Sequence, residues 1–163
     1  MKKKILRYLI VYSIVIVLVM LDLMAKSFFD GKNITVIKDF FYIESAHNYG
    51  AGLSILTGHT TLLTIISFLF LAVFVAFDIF NQRKSILYNA SIILIYAGAI
   101  GNLIDRLMLS YVRDFLYVNL PLMDYCFNFA DVFLTFGIIL LCIEILFKRE
   151  QKKDGKINSW TKR

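Results

Sequence analysis

Residues 97–131 read AGAIGNLIDRLMLSYVRDFLYVNLPLMDYCFNFAD, and the fold follows from how polar residues are set into this otherwise apolar stretch. It starts inside one hydrophobic segment and leaves it through Gly101, Asn102, Asp105 and Arg106. It enters the next segment through Asn128 and Asp131, with Asp114 between the two. Ionisable side chains at membrane depth are costly, so they are functional sites by default and need partners. Two aspartates near one membrane face, with Asn and Arg beside them, are the material of an acid/base site.

The rest of the chain supports a membrane setting. Of its 163 residues 59% are hydrophobic and mean hydropathy is +0.70, more than a small soluble core could hide given a usual apolar share of about 45–50%. One Pro and 8 Gly leave no linker, and no internal repeat is visible, so the expectation is a single integral membrane domain. Four apolar runs, at about 5–24, 61–80, 86–106 and 127–147, each come close to the roughly 20 residues needed to cross a bilayer. The first, after a basic start, also resembles a secretory signal peptide. It lacks a small-x-small cleavage site before Asp22, and is expected to be an uncleaved signal-anchor helix.

Charge placement sets the expected orientation. Thirteen of the 18 basic residues lie before or at the very start of the first run, between the second and third, or after the fourth. Only Lys26, Lys32, Lys38, Arg106 and Arg113 fall on the other side. This positive-inside asymmetry puts both termini in the cytoplasm. The net charge of +6 thus needs no nucleic-acid partner, and none is expected. Cys126 and Cys142 form no disulfide framework or CxxC pair. Cys142, in an apolar run, reads as a small buried hydrophobe. His47 and His59 are too far apart and too poor in partners for a zinc site.

Between the first two runs, at about 31–58, β-branched and aromatic segments (33–38 and 40–44) predict a small sheet on the outer membrane surface. His47-Asn-Tyr-Gly-Ala-Gly-Leu-Ser54 follows, and its Asn48-x-Gly50 by itself is a turn signal. Asp22 and Lys26 are four apart on one helical face. They form either an interfacial ion pair or, if Asp22 faces the bundle, the anchor of a polar network. Ala97 and Gly101 are a small-xxx-small pair that allows close helix approach. Asn102, Asp105 and Arg106 share one face, as do Asn128 and Asp131. At the inner end, Asp78 reads as a solvated interfacial residue and Glu144 as an i,i+4 partner of Lys148.

Two close carboxylates cannot both ionise cheaply, so one holds a proton while the other takes one. Such a pair can activate water and protonate a leaving amine, which is aspartyl-type peptide hydrolysis. HExxH, GxSxG and a Gly-rich phosphate loop are all missing. On the residues alone, ion or proton handling by the same carboxylates stands beside hydrolysis as an alternative.

Five blocks resemble the lipoprotein signal peptidase family (signal peptidase II). DLMAK at 22–26 is similar to its D-x-x-x-K block, and NYGAGLS at 48–54 to N-x-G-A-A-F-G. GAIGNLIDR at 98–106 matches G-x-x-G-N-x-x-D-R, VRDF at 112–115 resembles V-V-D-F, and FNFAD at 127–131 matches F-N-x-A-D. The third and fifth blocks together are highly specific. The resemblance implies an all-α membrane protein: four transmembrane helices with a small extracytoplasmic β-cradle and a short outer lid helix.

It also implies Asp114 and Asp131 as catalytic pair, Asn48, Gly50, Asn102, Asp105, Arg106 and Asn128 around the substrate, and Asp22 and Lys26 in support. The implied function is an intramembrane aspartyl endopeptidase of the bacterial cytoplasmic membrane. It removes signal peptides from diacylglyceryl-modified prolipoproteins, cutting just before the lipidated Cys, with its site at the extracytoplasmic face. Membrane lipid and globomycin-type inhibitors are the other implied partners of a monomer with no cofactor and no metal. Gly52, Leu53 and Ser54 depart from the family pattern, as does Arg113 where Val is usual. Because neighbours on an extended segment point to opposite faces, Arg113 is expected to face lipid headgroups rather than Asp114.

Overall fold

The computed structural model describes residues 2–50, 56–80, 85–121 and 123–160, with side chains described from residue 5 to residue 147. Four long helices, α1 (Lys2–Phe29), α2 (Thr60–Phe80), α3 (Ile86–Leu109) and α4 (Phe129–Trp160), are interrupted by four strands. These are β1 (Asn33–Ile37), β2 (Phe41–Asn48), β3 (Val112–Val118) and β4 (Tyr125–Phe127). Segments Ile5–Phe29, Thr60–Phe80, Ile86–Leu109 and Phe129–Phe147 are each long and apolar enough to cross a membrane. The lid helix has no counterpart among the described residues; residues 51–55 of the β2–α2 connection, including Gly52, Leu53 and Ser54, lie outside them.

The bundle is built around α3. In its most apolar window 56% of residues are buried, against 22%, 11% and 17% in α1, α2 and α4. Its mean hydropathy is nonetheless the lowest of the four, 1.6. The most buried of the four helices can therefore carry Asn102, Asp105 and Arg106. The other helices turn Leu, Ile, Val and Phe outward (Leu9, Ile16 and Met20 on α1; Phe68, Val73 and Phe80 on α2). In water such faces would drive aggregation, whereas lipid chains solvate them.

Close approach of α3 to its neighbours depends on small residues. A Cβ on Gly98 would run into the Ala130 carbonyl and lie 2.7 Å from Leu134 Cγ and 2.9 Å from Leu134 N on α4. One on Gly101 would lie 2.6 Å from Asp22 Oδ2 on α1. Ala97 is buried in the same cluster as Val15 and Val19. The Ala97–Gly101 pair thus serves the α1 face, while Gly98 serves α4. Because backbone atoms block its side chain, Gly98→Ala is expected to force α3 and α4 apart and to cost about 1–3 kcal/mol. Thermal unfolding in one fixed detergent checks this; an unchanged Tm would contradict the packing.

The sheet closes over one end of the bundle in the antiparallel order β1-β2-β3-β4. It is larger than the sequence reading, which did not foresee the β3–β4 hairpin. Ser110 caps α3 in the left-handed conformation (φ 65°), its N–H donating to the Arg106 carbonyl. After Tyr111 the chain runs back as β3, so Asp114 sits above the end of the helix that carries Asn102 and Asp105. A bulge between Ile43 and Ala46 puts Ala46 opposite Asp114 and Asn48 opposite Val112. Side chains alternate along strands, so Asn48 and Asp114 share a face and Arg113 takes the other.

Two expectations are corrected here, and a third lies partly outside the described side chains. Asp78 is buried rather than solvated, and accepts a hydrogen bond from the Tyr88 hydroxyl at 3.0 Å. Tyr88 is held by the cap of α3, where Ser85 Oγ accepts from its N–H; the carboxylate is shielded by the helix across the turn. Cys142 is exposed on the outer face of α4 rather than buried. Glu144 is itself buried, while the Lys148 side chain of its expected pair lies outside those described.

Candidate active site

Asp114 and Asp131 reach one cavity from two elements. Asp131 lies in the first turn of α4, and its position follows from a reciprocal cap. Asn128 Oδ1 accepts from the Asp131 N–H at 3.0 Å, and Asp131 Oδ2 accepts from the Asn128 N–H at 3.2 Å. This is the capping box of helix N-termini, here with Asn and Asp. The other oxygen, Asp131 Oδ1, accepts from the Asn102 amide on α3 at 2.8 Å. Asp114 is held equally firmly: Oδ1 accepts from Asn128 Nδ2 at 2.6 Å and Oδ2 from Asn48 Nδ2 at 3.0 Å. Fully buried Asn128 therefore touches both aspartates.

The cavity has a volume of about 520 Å³ and is lined by Asn48, Asn102, Arg106, Asp114 and Asp131 on its polar side. Tyr117, Met123, Asp124, Tyr125 and Cys126 of the β3–β4 hairpin, with Ala46, His47 and Tyr49 of the β2 end, Thr57 and Val112, form the remaining wall. Sequence reasoning missed these wall residues. The signal was present: two aromatic and β-branched runs, 115–118 and 125–127, flank Asn119 and Pro121, a hairpin pattern.

Burial is the main cause that pushes the Asp114 carboxyl up to about 7, with the nearby Asp131 charge acting in the same direction. The Asn48 and Asn128 hydrogen bonds and the Lys26 charge pull the other way and only partly offset it. Asp114 can therefore hold a proton near neutral pH.

Gly50 and Arg106 meet: the guanidinium donates to the Gly50 carbonyl at 3.3 Å. Asn48 Oδ1 accepts from the Gly50 N–H at 2.9 Å, so Asn48 makes its local turn and still reaches Asp114. Asp105, expected around the substrate, lies beneath the cavity, 1% exposed. Arg113 reaches it with a planar fork, Nη2 to Oδ1 at 2.7 Å and Nε to Oδ2 at 3.3 Å. Arg113 thus turns away from Asp114, but inward to this pair rather than outward to headgroups.

Asp22 and Lys26 take the network reading, not the interfacial one. Both are fully buried and 2.7 Å apart. Lys26 Nζ also donates to Asn102 Oδ1 at 2.9 Å and lies 3.7 Å from Asp105, while Asp22 Oδ1 accepts from the Ala130 N–H at 2.9 Å.

Four membrane-crossing helices beneath a small sheet that closes a polar cavity define a multi-pass membrane protein with its candidate chemistry at one end. Residues 14–147 match the signal peptidase (SPase) II family. The chain is 38% identical over 130 residues to the lipoprotein signal peptidase of Staphylococcus carnosus (strain TM300), covering 79% of this chain and 82% of that one. It is likewise 38% identical over 128 residues to the lipoprotein signal peptidase of Staphylococcus aureus, 78% of each chain. The fold matches a bacterial membrane enzyme structure determined by the in meso method at 2.3 Å resolution, with a TM-score of 0.78 at 34% identity over 87% of this chain and 90% of that one. A second such structure, at 1.9 Å resolution, gives 0.71 at 33% identity, over 83% and 92%. The chain belongs to the signal peptidase II family and is a membrane protease.

Proposed function

We propose that this protease removes signal peptides from diacylglyceryl-modified bacterial prolipoproteins by aspartyl hydrolysis, cutting just before the lipidated Cys. The observation that carries this reading is the Asp114–Asn128–Asp131 arrangement: two carboxyl groups fixed through one amide and facing one cavity. The names of the relatives support the substrate class. The positive-inside asymmetry supports cytoplasmic termini and an extracytoplasmic site in a multi-pass protein of the cell membrane. Globomycin-type peptides would compete in the same cavity.

The chemistry needs one proton shared by the pair. The ionised carboxylate takes a proton from water as the water oxygen attacks the scissile carbonyl. The protonated carboxyl gives its proton to the developing oxyanion. Collapse of the tetrahedral intermediate breaks the C–N bond and a proton passes to the leaving amine. No covalent enzyme intermediate is required. Arg106 and Asn102 line the same wall and supply donors for substrate carbonyl oxygens.

Incubation of the purified chain in phospholipid vesicles with lipidated and unlipidated forms of one precursor tests the assignment. Release of a signal peptide ending just before the Cys is expected from the lipidated form alone. No release, or equal release from both, would overturn it.

The pH dependence follows from Asp114. Below about 7 the Asp114 carboxyl keeps its proton, and as pH rises through that value the pair loses the proton it shares. The rate is therefore expected to fall along an alkaline limb near pH 7, read from kcat/KM against pH. The same group contributes to stability in the same sense. Its folded pKa lies above the unfolded one, so its contribution is complete at low pH and lost as pH rises through about 7. A rate flat from pH 6 to pH 9 would contradict a proton held at Asp114.

A further inference from the structure

We propose that Arg113 is a positioning residue for the aspartate pair, balancing the charge of Asp105 so that Lys26 stays on Asn102 and keeps that amide aimed at Asp131. The inference rests on the reading of Asp114 and Asp131 as the reacting groups.

The geometry is a competition for cations. Asp22, Asp105 and the Asn102 carbonyl oxygen all lie within reach of Lys26 Nζ, at 2.7, 3.7 and 2.9 Å. Arg113 takes Asp105 out of that competition. Besides its two side-chain bonds, its backbone N–H donates to Asp105 Oδ2 at 3.0 Å, and Nη1 donates to Ser27 Oγ on α1 at 2.9 Å. Asp22, Lys26, Asp105 and Arg113 then sum to zero charge in a region where an unpaired charge is expensive.

Without Arg113, the Asp105 carboxylate would keep Lys26, 3.7 Å away, as its one salt-bridge partner among the described residues and draw it away from Asn102. The amide of Asn102, whose Nδ2 donates to Asp131 at 2.8 Å, would lose the acceptor contact that fixes which way it points. Its two orientations differ by swapping O and N, and only one donates to Asp131. The region would also gain one negative charge beside the aspartate pair, which favours its protonated forms. The groups facing this site are Asp22 and Lys26 from α1 with Asp30 just after it, His47 from β2, which lies opposite Arg113 and 3.2 Å from Asp30, Asp105 and Arg106 from α3, Tyr111 from the turn after it, Asp114 from β3 and Asp131 from α4. None of them offers a second cation to Asp105 at the distance of Arg113.

The experiment uses the full chain in vesicles of one lipid composition, with kcat, KM and the pH profile measured for wild type, R113V, R113K and the double variant R113V/D105N. R113V is expected to lose kcat by up to about 100-fold, with KM nearly unchanged and the pH profile displaced upward. R113K, which restores the charge without the fork, is expected to hold the wild-type pH profile. It also keeps the test decisive should R113V fail to fold, because a displaced profile in R113K would overturn the charge-balance role. R113V/D105N removes both charges and is expected to recover most of the lost rate. The proposal is overturned if R113V keeps the wild-type profile or if the double variant is no better than R113V. A wild-type chain that leaves the lipidated precursor intact would sink the dyad reading and this inference together. Wild-type cleavage with an unmoved R113V profile would sink the inference only.

Discussion

Asp114→Asn and Asp131→Asn are each expected to abolish signal-peptide release, with kcat/KM reduced at least ~10²- to 10⁴-fold, while the chain stays folded. An amide has nearly the shape of the carboxyl group but cannot exchange a proton in the neutral range. The structure also sets the cost in stability. Asp114 accepts from Asn128 through one oxygen and from Asn48 through the other. Asn at this position keeps one of these contacts and sets two amide donors against each other at the second. At Asp131 the 2.8 Å bond from Asn102 can be kept and the 3.2 Å bond from the Asn128 N–H is lost. Each change is therefore expected to cost about 1 kcal/mol, small beside the loss of activity. Quantifying released peptide by mass spectrometry, with Tm measured on the same preparations, separates the two effects. Activity above roughly a tenth of wild type in either variant, well outside the range for a lost acid/base group, would remove that residue from the chemistry.

The second large effect is expected at Lys26. Its ammonium is fully buried and serves Asp22, Asn102 and, at longer range, Asp105. Lys26→Met keeps the stem and removes the charge, leaving the buried Asp22 carboxylate with the hydrogen bond from the Ala130 N–H and no cation among the described residues within salt-bridge reach. Breaking one partner out of a buried pair costs about 3–5 kcal/mol, so this variant is expected to unfold at much lower denaturant than wild type. Adding Asp22→Asn removes the orphaned charge and is expected to recover part of the loss. Activity should remain low even in the folded double variant, because Asn102 still lacks its Lys26 contact. Equal stability of Lys26→Met and wild type, in the same detergent, would show that the pair contributes nothing net.

How much of this was legible in the sequence depends on the range over which each feature is determined. The four helices are written in apolar runs near 20 residues, a local property, and they appear. Asp22 and Lys26 were legible as a pair because four-residue spacing is local; that they face the bundle depends on Gly101 leaving room for Asp22. The β3–β4 hairpin is legible in principle, because its aromatic runs and Pro121 mark strands and a turn, but Asp114 interrupts the apolar alternation that would single out β3. Asp78 was misjudged because nearness to a connection suggested solvent, whereas the hydroxyl that covers it comes from the facing helix. Cys142 was misjudged because an apolar run in a membrane helix has two apolar surroundings, core and lipid, and composition does not distinguish them. For Arg113, strand alternation correctly separated it from Asp114, but the partner waiting on the other face, Asp105 of α3, is a tertiary fact set by the tight turn at Ser110.

The most direct measurement is an isotope-edited infrared titration of the carboxyl groups in aspartate-labelled protein held in lipid bilayers, comparing wild type with Asp114→Asn. The expected result is a protonated carboxyl that persists to about pH 7 in wild type, far above the usual 3.8 of an aspartate, and is missing from the variant. A wild-type spectrum in which every aspartate is already ionised well below neutral pH, or a persistent proton that Asp114→Asn leaves untouched, would contradict a shared proton at Asp114 and Asp131.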